Sequence, residues 1–231
     1  MKAIILAGGL GTRLRPFTQI LPKPMLPVGD RSILEIQIEH LKKFGVDEVI
    51  FAANYKSDLL QNYFGNGQRV GMKLTYSIED KRLGTAGPLS LIKDNLSEPF
   101  IVMNGDILTN IDFNKAYDYH CSKSSILTVI SKEVTFPLSY GNLKIKGDLI
   151  VEIQEKPDIK VDICSGLYVM SPGIFDHIPY NEAYGMDQLM QALIAKNIPV
   201  YRYQMEEYWL DIGRMEDYEQ AQKDYSQVFE N

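Results

Sequence analysis

The sequence predicts an α/β fold in which a mostly parallel, mixed sheet lies between two layers of helices. Short apolar runs rich in β-branched residues alternate with segments of helical periodicity through the first half of the chain. Glycines and polar residues separate these segments at the spacing of strand–helix–strand units. The second half instead contains runs typical of hairpin strands. Together these observations predict a Rossmann-like three-layer α/β/α architecture with β-hairpin insertions.

The first half supplies the parallel strands. An apolar run over 3–7 is too short for a helix and ends at Gly8, and Ser32 is the predicted N-cap of a helix that ends at Gly45. Ligands bind at the carboxyl ends of parallel strands, so the turns at Gly8 and at Gly105-Asp106 mark the predicted ligand edge. The other predicted elements of this half are strands over 48–54, 72–77 and 100–104 and helices over 57–64 and 86–96.

The second half is less regular, although it contains no linker, repeat or low-complexity run. A hairpin is predicted from segments 143–145 and 149–153, which flank Gly147-Asp148. We therefore expect one domain over residues 1–231, closed by a docked terminal helix. The remaining predicted elements are strands over 126–131, 163–170 and 200–205 and helices over 186–196 and 215–228.

Composition narrows the class of protein. Of 231 residues, 45% are apolar and 23% charged, and the net charge is −6 with both signs interspersed. This balance argues against nucleic-acid and membrane partners, which require a basic face. Cys121 and Cys164 have no metal-ligand spacing, and no signal peptide or membrane-length apolar run occurs, so we expect a cytoplasmic location. His40, His120 and His177 match no motif and are expected at surface or helix positions.

The first turn is typical of a polyphosphate site. Gly8, Gly9 and Gly11 allow the backbone to approach a ligand closely and to direct successive N–H groups into one concavity. Arg13 and Lys23 add cations shortly afterwards. The alternative is that the glycines only make a tight strand-to-loop turn. The cations beside them favour the phosphate interpretation.

Two common phosphate motifs are excluded by spacing. The dinucleotide fingerprint requires G-x-G-x-x-G, and Gly9-Leu10-Gly11 is not followed by a third glycine at that spacing. The P-loop requires Gly-Lys-Ser/Thr, which is absent from the sequence. A dinucleotide oxidoreductase is therefore disfavoured.

The segments AGGLGTRLRP and PKPMLPVG resemble the signature of the sugar-1-phosphate nucleotidyltransferases, or nucleotide-sugar pyrophosphorylases. The resemblance implies that a nucleoside triphosphate and a sugar 1-phosphate react to give an NDP-sugar and pyrophosphate, with Mg²⁺. It implies catalytic roles for Arg13, Lys23 and Lys156. The nucleotide contacts that it implies are Leu6, Ala7, Gly8, Gly9, Gly11, Thr12, Arg13, Lys23, Gly84, Thr85, Ala86 and Asn104.

Two aspartates are candidates for the metal. Asp106 follows the buried strand over 100–104, and Asp211 lies in the run W-L-D-I-G. Taken alone, Asp106 is equally typical of a turn, and Asp211 of the N-cap of the last helix. The family resemblance of N-G-D and W-x-D-I-G assigns both to Mg²⁺, which prefers hard oxygen ligands. Without a cation, two nearby carboxylates would repel each other and raise the pKa of one.

The acceptor side is predicted on the hairpin insertions. Glu155-Lys156-Pro157 on its own is typical of a solvated strand end, but it resembles the family motif whose Lys contacts the sugar phosphate. Tyr140-Gly141 resembles a sugar-lining step, and Ser165 lies in a run, C-S-G-L-Y, where branch members commonly have Asn-Ala-Gly. This departure leaves the sugar open among mannose, manno-heptose and glucosamine-type 1-phosphates.

The base side is predicted at L-G-T-A-G-P-L over 83–89, with residues 79–82 framing the same pocket. On its own this run is a helix start with Thr85 as cap and Pro88 in the first turn. Its resemblance to the guanylyltransferase branch implies GTP as donor. Uridylyl, thymidylyl and cytidylyl transfer remain alternatives, as does a non-catalytic nucleotide-sugar sensor. The sequence leaves the oligomeric state open, a homo-oligomer included.

Overall fold

The computed structural model describes residues 1–229 and contains thirteen strands and six α-helices within them. The strands are β1 (Lys2–Leu6), β2 (Pro27–Val28), β3 (Arg31–Ser32), β4 (Glu48–Ala53), β5 (Lys73–Ile78), β6 (Phe100–Asn104), β7 (Ile107–Thr109), β8 (Leu127–Pro137), β9 (Asn142–Lys146), β10 (Leu149–Gln154), β11 (Asp158–Met170), β12 (Tyr201–Met205) and β13 (Trp209–Asp211). The α-helices are α1 (Phe17–Ile20), α2 (Ile33–Lys43), α3 (Ser57–Phe64), α4 (Phe113–Ser122), α5 (Met186–Ala195) and α6 (Met215–Phe229). Short 3₁₀ helices lie at Thr12–Leu14, Lys23–Met25, Gln68–Val70, Gly87–Leu91, Lys93–Asn95 and Pro172–His177.

A seven-stranded sheet in the order β12-β8-β11-β6-β1-β4-β5 forms the centre of the molecule. Strand β1 pairs in parallel with β4 and β6, with Ile4 opposite Ile50 on one side and Val102 on the other. Strand β11 runs antiparallel between β6 and β8. The parallel strands are continuous apolar runs because both faces of the sheet are covered. The predicted mostly parallel, mixed sheet is confirmed.

Two apolar cores cover the two faces of this sheet. On one face, α2, α3 and α4 pack against alternate residues of β1 and β4 such as Ile5 and Phe51. On the other face, α5 and the 3₁₀ segment at Gly87–Leu91 pack against Ile4 and Ile50. Alternation of the side chains along each strand sends neighbouring residues into different cores. This arrangement confirms the three-layer α/β/α class.

The predicted helix over 86–96 is wrong, since Gly87–Leu91 and Lys93–Asn95 form two short 3₁₀ helices. The backbone N–H groups of Ala86 and Gly87 both donate to the carbonyl of Tyr184, so the segment is bonded to a distant loop from its first residues. Glycine and proline at its start also disfavour a regular α-helix.

The sequence prediction missed α4 and the pairing of two very short strands. Asp112 caps α4 by accepting from the backbone N–H of Lys115, and the buried Phe113, Ala116 and His120 lie at helical spacing. Strands β7 and β13 pair antiparallel although about a hundred residues separate them, with Asp211 opposite Ile107. This pairing matters for the site, because it brings Asp211 to the edge where β6 ends.

The second half also forms an exposed extension, defined here as residues 132–164. Strands β8 and β11 continue as a pair beyond the covered part of the sheet, and β9 and β10 form the predicted hairpin about Gly147. Nearly every residue of the extension is exposed or half-buried, including the apolar Ile145 and Ile150, which pair across the hairpin. The hairpin insertion is therefore confirmed as a surface element.

Helix α6 holds the loop that follows the PKPMLP segment. The hydroxyl of Tyr218 donates to the carbonyl of Pro27, and that of Tyr225 donates to Asp30. The histidines lie in helices as expected, with His120 fully buried between the hydroxyls of Thr128 and Ser171. Among residues 1–229, no helix has the length and apolarity needed to cross a bilayer.

Candidate active site

A cavity of about 480 Å³ opens at the carboxyl ends of β1, β4, β5 and β6, where the sequence places the ligand edge. All but one of the predicted nucleotide contacts line it; Ala86 is fully buried behind the wall. Asp106 is also part of the lining. The lining residues are Leu6, Ala7, Gly8, Gly9, Leu10, Gly11, Thr12, Arg13, Lys23, Pro24, Ala52, Glu79, Arg82, Leu83, Gly84, Thr85, Pro88, Asn104, Gly105, Asp106 and Gly213.

The glycine-rich turn is tied to the PKP segment beneath it. Gly11 has a φ of +58°, and a Cβ there would come within 2.8 Å of the Thr18 methyl and 3.1 Å of Lys23 Cβ. The Thr18 hydroxyl donates to the Gly11 carbonyl at 2.8 Å. Gly9, by contrast, faces open space. Glycine is therefore needed at position 11 for the fold, whereas at position 9 the structure has room for a side chain.

Lys23, Asp106 and Asp211 form the charged centre of the cavity. The side chain of Lys23 is only 9% exposed, and its Nζ forms an ion pair with Asp106 and lies 3.9 Å from Asp211 Oδ1. The backbone N–H of Ile212 donates to the Asp106 carbonyl, which fixes the distance between the two aspartates. The two predicted metal ligands thus lie together because β13 pairs with β7.

Asp211 has a raised pKa and a carboxylate oxygen without a hydrogen-bond donor. Burial raises its pKa above the ordinary value, the nearby Asp106 raises it further, and the cations Lys23 and Arg13 lower it. Its Oδ1 atom is buried and has no hydrogen-bond donor. A buried carboxylate oxygen without a donor is costly, and a bound cation would satisfy it.

The donor set fits Mg²⁺ rather than a metal held only by protein. Among the described residues, no group of three or more His, Cys, Asp or Glu side chains is placed to hold a metal. Mg²⁺ is typically bound by one or two carboxylates together with substrate phosphates and water. Asp106 and Asp211 match that requirement.

Glu79 is a wall residue that the sequence reasoning placed only at the frame of the base segment. It follows β5, is buried, and accepts from the backbone N–H of Leu83 through Oε2 at 2.9 Å. A Cβ on Gly8 would lie 3.2 Å from its Oε1, so this second oxygen stands beside the glycine turn. Burial raises the pKa of Glu79. Its place after a parallel strand was the available signal.

The base segment is bonded to the start of α5. The hydroxyl of Thr85 accepts from the backbone N–H of Met186 at 2.8 Å, so Thr85 caps α5 and not the helix predicted after it. Gly84 has a φ of +79°, and a Cβ there would lie 2.7 Å from the Tyr184 carbonyl. The wall is therefore fixed by residues about a hundred positions away.

Four of the five predicted acceptor residues lie on the extension, and all five lie outside the lining of the cavity. Tyr140 is 76% exposed, and Glu155 and Lys156 are also exposed. A Cβ on Gly141 would lie 3.2 Å from Glu155 Oε2, so the Tyr140-Gly141 step and Glu155 are neighbours. The structure brings these residues near one another but does not bring them into the nucleotide cavity.

Ser165 lies at a bulge in β11 where the strand leaves the covered sheet. Its buried hydroxyl donates to the Ile130 carbonyl, and its own carbonyl accepts from the Trp209 indole. The next residue, Gly166, has a φ of +75°, and a Cβ there would come within 2.6 Å of Asn104 Nδ2. At this position it is the glycine, and not the serine side chain, that borders a cavity residue.

Comparisons with known proteins identify the family of the chain. A family model described as nucleotidyl transferase matches residues 2–228. The chain is 34% identical to a UTP–glucose-1-phosphate uridylyltransferase of Synechocystis, with 96% of the chain aligned. It is 37% identical to a mannose-1-phosphate guanylyltransferase catalytic subunit beta of Dictyostelium discoideum, with 94% aligned. The chain spans 62% of the length of each of these relatives.

Solved structures share the fold along nearly their whole length. HddC from Yersinia pseudotuberculosis is 30% identical with a TM-score of 0.77, covering 97% of this chain and 99% of that one. A second HddC structure, complexed with GMP-PN, gives a TM-score of 0.75 at 28% identity, covering 97% and 99%. A putative glucose-1-phosphate thymidylyltransferase from Bacillus anthracis gives 0.78 at 25% identity, covering 96% and 94%.

Proposed function

The chain belongs to the nucleotidyl transferase family, and from this premise we propose that it transfers a nucleotidyl group from a nucleoside triphosphate to a sugar 1-phosphate. The family resemblance seen in the sequence is thereby confirmed. The relatives are named for guanylyl, uridylyl and thymidylyl transfer, so the base and the sugar of this chain are matters of proposal.

One observation carries the proposal. The glycine-rich turn, the cations Arg13 and Lys23 and the carboxylate Asp106 line a single cavity, with Asp211 directly beside it. Transfer of a phosphoryl-type group needs positioning and charge neutralisation more than covalent help from the protein. A site with these charges and without a paired nucleophile and base suits that chemistry.

In the proposed reaction, an oxygen of the sugar phosphate attacks the α-phosphorus of the nucleotide and forms the new P–O bond. The bond between the α-phosphorus and its bridging oxygen breaks, and that oxygen leaves with the pyrophosphate. Arg13, Lys23 and the backbone N–H groups of the glycine turn bind the departing phosphates. Asp106 and Asp211 would hold Mg²⁺, which when bound supplies positive charge against the phosphate oxygens.

The acceptor is proposed to bind through the extension. Lys156 contacts the sugar phosphate as a compact cation, while Glu155 accepts from sugar hydroxyls and Tyr140-Gly141 lies along the ring. The backbone around Ser165 completes this side next to Asn104. Holding the acceptor phosphate against the α-phosphorus would supply much of the rate enhancement.

GTP is proposed as the donor. The carboxylate of Glu79 stands beside Gly8 in the wall formed with the base segment. Guanine presents two adjacent N–H donors on one edge, which suit a carboxylate acceptor, whereas uracil and thymine present one. The HddC complex with GMP-PN, at 28% identity, supports a guanine nucleotide in this fold. The uridylyltransferase relative at 34% identity keeps UTP as the second candidate.

An assay of pyrophosphate release tests both the proposed nucleotidyl transfer and the proposed preference for GTP. Four nucleoside triphosphates would each be assayed with Mg²⁺ against a panel of mannose, manno-heptose, glucosamine-type and glucose 1-phosphates, the last because two relatives are named for it. We expect kcat/KM for GTP to exceed that for UTP, dTTP and CTP by at least about a hundredfold, because unpaired polar groups penalise the wrong base. Equal or better use of a pyrimidine nucleotide would contradict GTP, and no release with any pair would contradict transfer itself.

Glu79→Gln sharpens the test of the base. An amide can still accept from one guanine N–H but not from two through equivalent charged oxygens. We expect the preference for GTP over UTP to fall by at least about tenfold, with the KM for the sugar phosphate unchanged. An unchanged ratio would remove Glu79 from base recognition.

A further inference from the structure

The side chain of Lys23 is held where a metal ion would be needed. Lys23 lies in the 3₁₀ turn Lys23–Met25. The backbone N–H of Met25 donates to the Pro22 carbonyl and closes this turn. Gly11 packs against Lys23 Cβ on one side, and a Cβ on Gly105 would lie 2.9 Å from the ring of Pro24 on the other. The side chain of Lys23 is buried, and its Nζ atom lies beside the carboxylates of Asp106 and Asp211.

The single ammonium of Lys23 is the ion-pair partner of two carboxylates. Among the ion pairs of the described chain, Asp106 and Asp211 each have Lys23 as their partner and no other cation. Lys23 forms a direct hydrogen-bonded pair with Asp106, while Asp211 Oδ1 lies 3.9 Å away without a donor. One ammonium therefore serves two carboxylates, and it satisfies one of them only in part.

We propose that Lys23 and the divalent cation compete for the same two carboxylates, and that Lys23 is released toward the nucleotide phosphates when metal and nucleotide bind together. The inference rests on the metal site of the proposed function. An ammonium and Mg²⁺ repel each other, so the two cations compete for the same carboxylate oxygens. Lys23 thus acts in turn as counter-ion of the aspartates and as ligand of the phosphates.

This exchange couples binding of the metal ion to binding of the nucleotide. In the absence of nucleotide, metal binding must displace an ammonium whose ion-pair partners in the described part of the chain are these two aspartates alone. Once phosphates are present, the displaced ammonium gains a new partner, so each ligand strengthens binding of the other. The proposal predicts weak intrinsic metal binding that is limited by Lys23 and not by the aspartates.

Calorimetric titration of Mn²⁺ into the nucleotide-free protein tests the competition. Lys23→Met removes the ammonium and keeps an unbranched apolar stem. We expect it to bind Mn²⁺ at least about tenfold more tightly than the wild type, because the ion then no longer competes with an ammonium for the two carboxylates. Lys23→Arg keeps a competing cation and Lys196→Met removes an exposed charge at the end of α5. Both controls should match the wild type.

An affinity of Lys23→Met equal to or weaker than that of the wild type would overturn the inference. Asp106→Asn in the Lys23→Met background distinguishes it from failure of the metal site. If that change abolishes Mn²⁺ binding while Lys23→Met alone has no effect, only the exchange fails. If neither Asp106→Asn nor Asp211→Asn changes the affinity for Mn²⁺, the metal site of the proposed function fails.

A measurement on the wild type covers the case in which Lys23→Met does not fold. Acetylation of lysines by acetic anhydride, read by mass spectrometry, reports how freely Lys23 Nζ is exposed. We expect the rate at Lys23 to rise several-fold with Mg²⁺, because the displaced ammonium loses the shielding of its ion pair. Asp106→Asn should remove this response to Mg²⁺. A rate at Lys23 that Mg²⁺ leaves unchanged would also overturn the exchange.

Discussion

The cavity and the extension differ in how deeply their strands are buried and in how many neighbouring strands support them. The cavity rests on β1 and β6, whose side chains are almost fully buried and which pair with neighbours on both sides. The extension consists of paired strands with solvent on both faces, and its Tyr140 is 76% exposed where Lys23 in the cavity is almost enclosed. The cavity is therefore preorganised, whereas the extension is held by local pairing alone.

This difference implies that the two regions differ in local stability. An isolated two-stranded hairpin is at best marginally stable in water. Strands β9 and β10 have only each other, and the cross-strand pairs Leu143–Ile153 and Ile145–Ile150 are exposed. We therefore expect the extension to open locally more often than the central sheet.

Hydrogen exchange gives the largest expected contrast between the two regions. Amides of β9 and β10 should exchange at least about 10³-fold faster, after correction for intrinsic rates, than those of β1 and β6. The hairpin opens locally, whereas the central strands exchange only through global unfolding, which costs about 5–15 kcal/mol in a typical domain. Peptide-resolved mass spectrometry would measure this. Equal protection in both regions would break the comparison.

Loss of a carboxylate at the cavity edge should have the next largest effect. Asp106→Asn and Asp211→Asn are each expected to lower kcat by about 10²–10³, because they remove charge that stabilises the transition state. The free energy of unfolding should change little, which urea denaturation would verify. Asp94→Asn, at an exposed position outside the cavity, is the matched control. Near-wild-type kcat in either site variant would remove that residue from the metal site.

Two single cation deletions should separate the regions kinetically. Arg13→Ala should raise the KM for the nucleotide by about tenfold and Lys156→Ala the KM for the sugar phosphate by about tenfold, as expected for loss of a charged hydrogen bond. Steady-state kinetics with each substrate varied in turn would show the split. Identical effects of both variants on both substrates would mean that the two regions do not divide the ligands.

Two glycines give the smallest contrast. Gly166→Ala should destabilise the fold by about 1 kcal/mol or more, because φ is positive there and the new methyl would meet Asn104. Gly141→Ala should change the free energy of unfolding by less than about 0.5 kcal/mol, since its φ is ordinary and its nearest contact is the mobile end of Glu155. Urea denaturation of both variants would compare them. A larger cost at position 141 would show that the extension is more tightly packed than its exposure indicates.

Local patterns predicted the parts of this molecule that depend on neighbours in sequence. Ser32 does cap α2 and forms a capping box with Glu35, and the strands about β1 follow their apolar runs. The glycine turn and Asp106 lie at the predicted edge because carboxyl ends of parallel strands share one side. For these elements, periodicity and turn chemistry contain enough information.

Other features depend on partners that no local pattern identifies. Thr85 caps a helix that begins at Met186, and Asp211 reaches the cavity through a three-residue strand paired with β7. The hydroxyl of Ser165 turns into the sheet because the β11 bulge presents it to Ile130. The roles of these residues, the Mg²⁺ site and the cytoplasmic location remain predictions, and the sugar and the oligomeric state remain open.

Strand β11 belongs to both regions, and the bulge at Ser165-Gly166 is the boundary between them. On one side of it the strand is locked between β6 and β8, and on the other it carries one arm of the extension. Segment 132–164 can therefore be regarded as a cassette whose two ends leave the sheet next to each other. If the extension binds the acceptor as proposed, exchange of this cassette between relatives would change the acceptor preference and leave the cavity unchanged. A surface arm of this kind can diversify without changes to the strands that form the cavity.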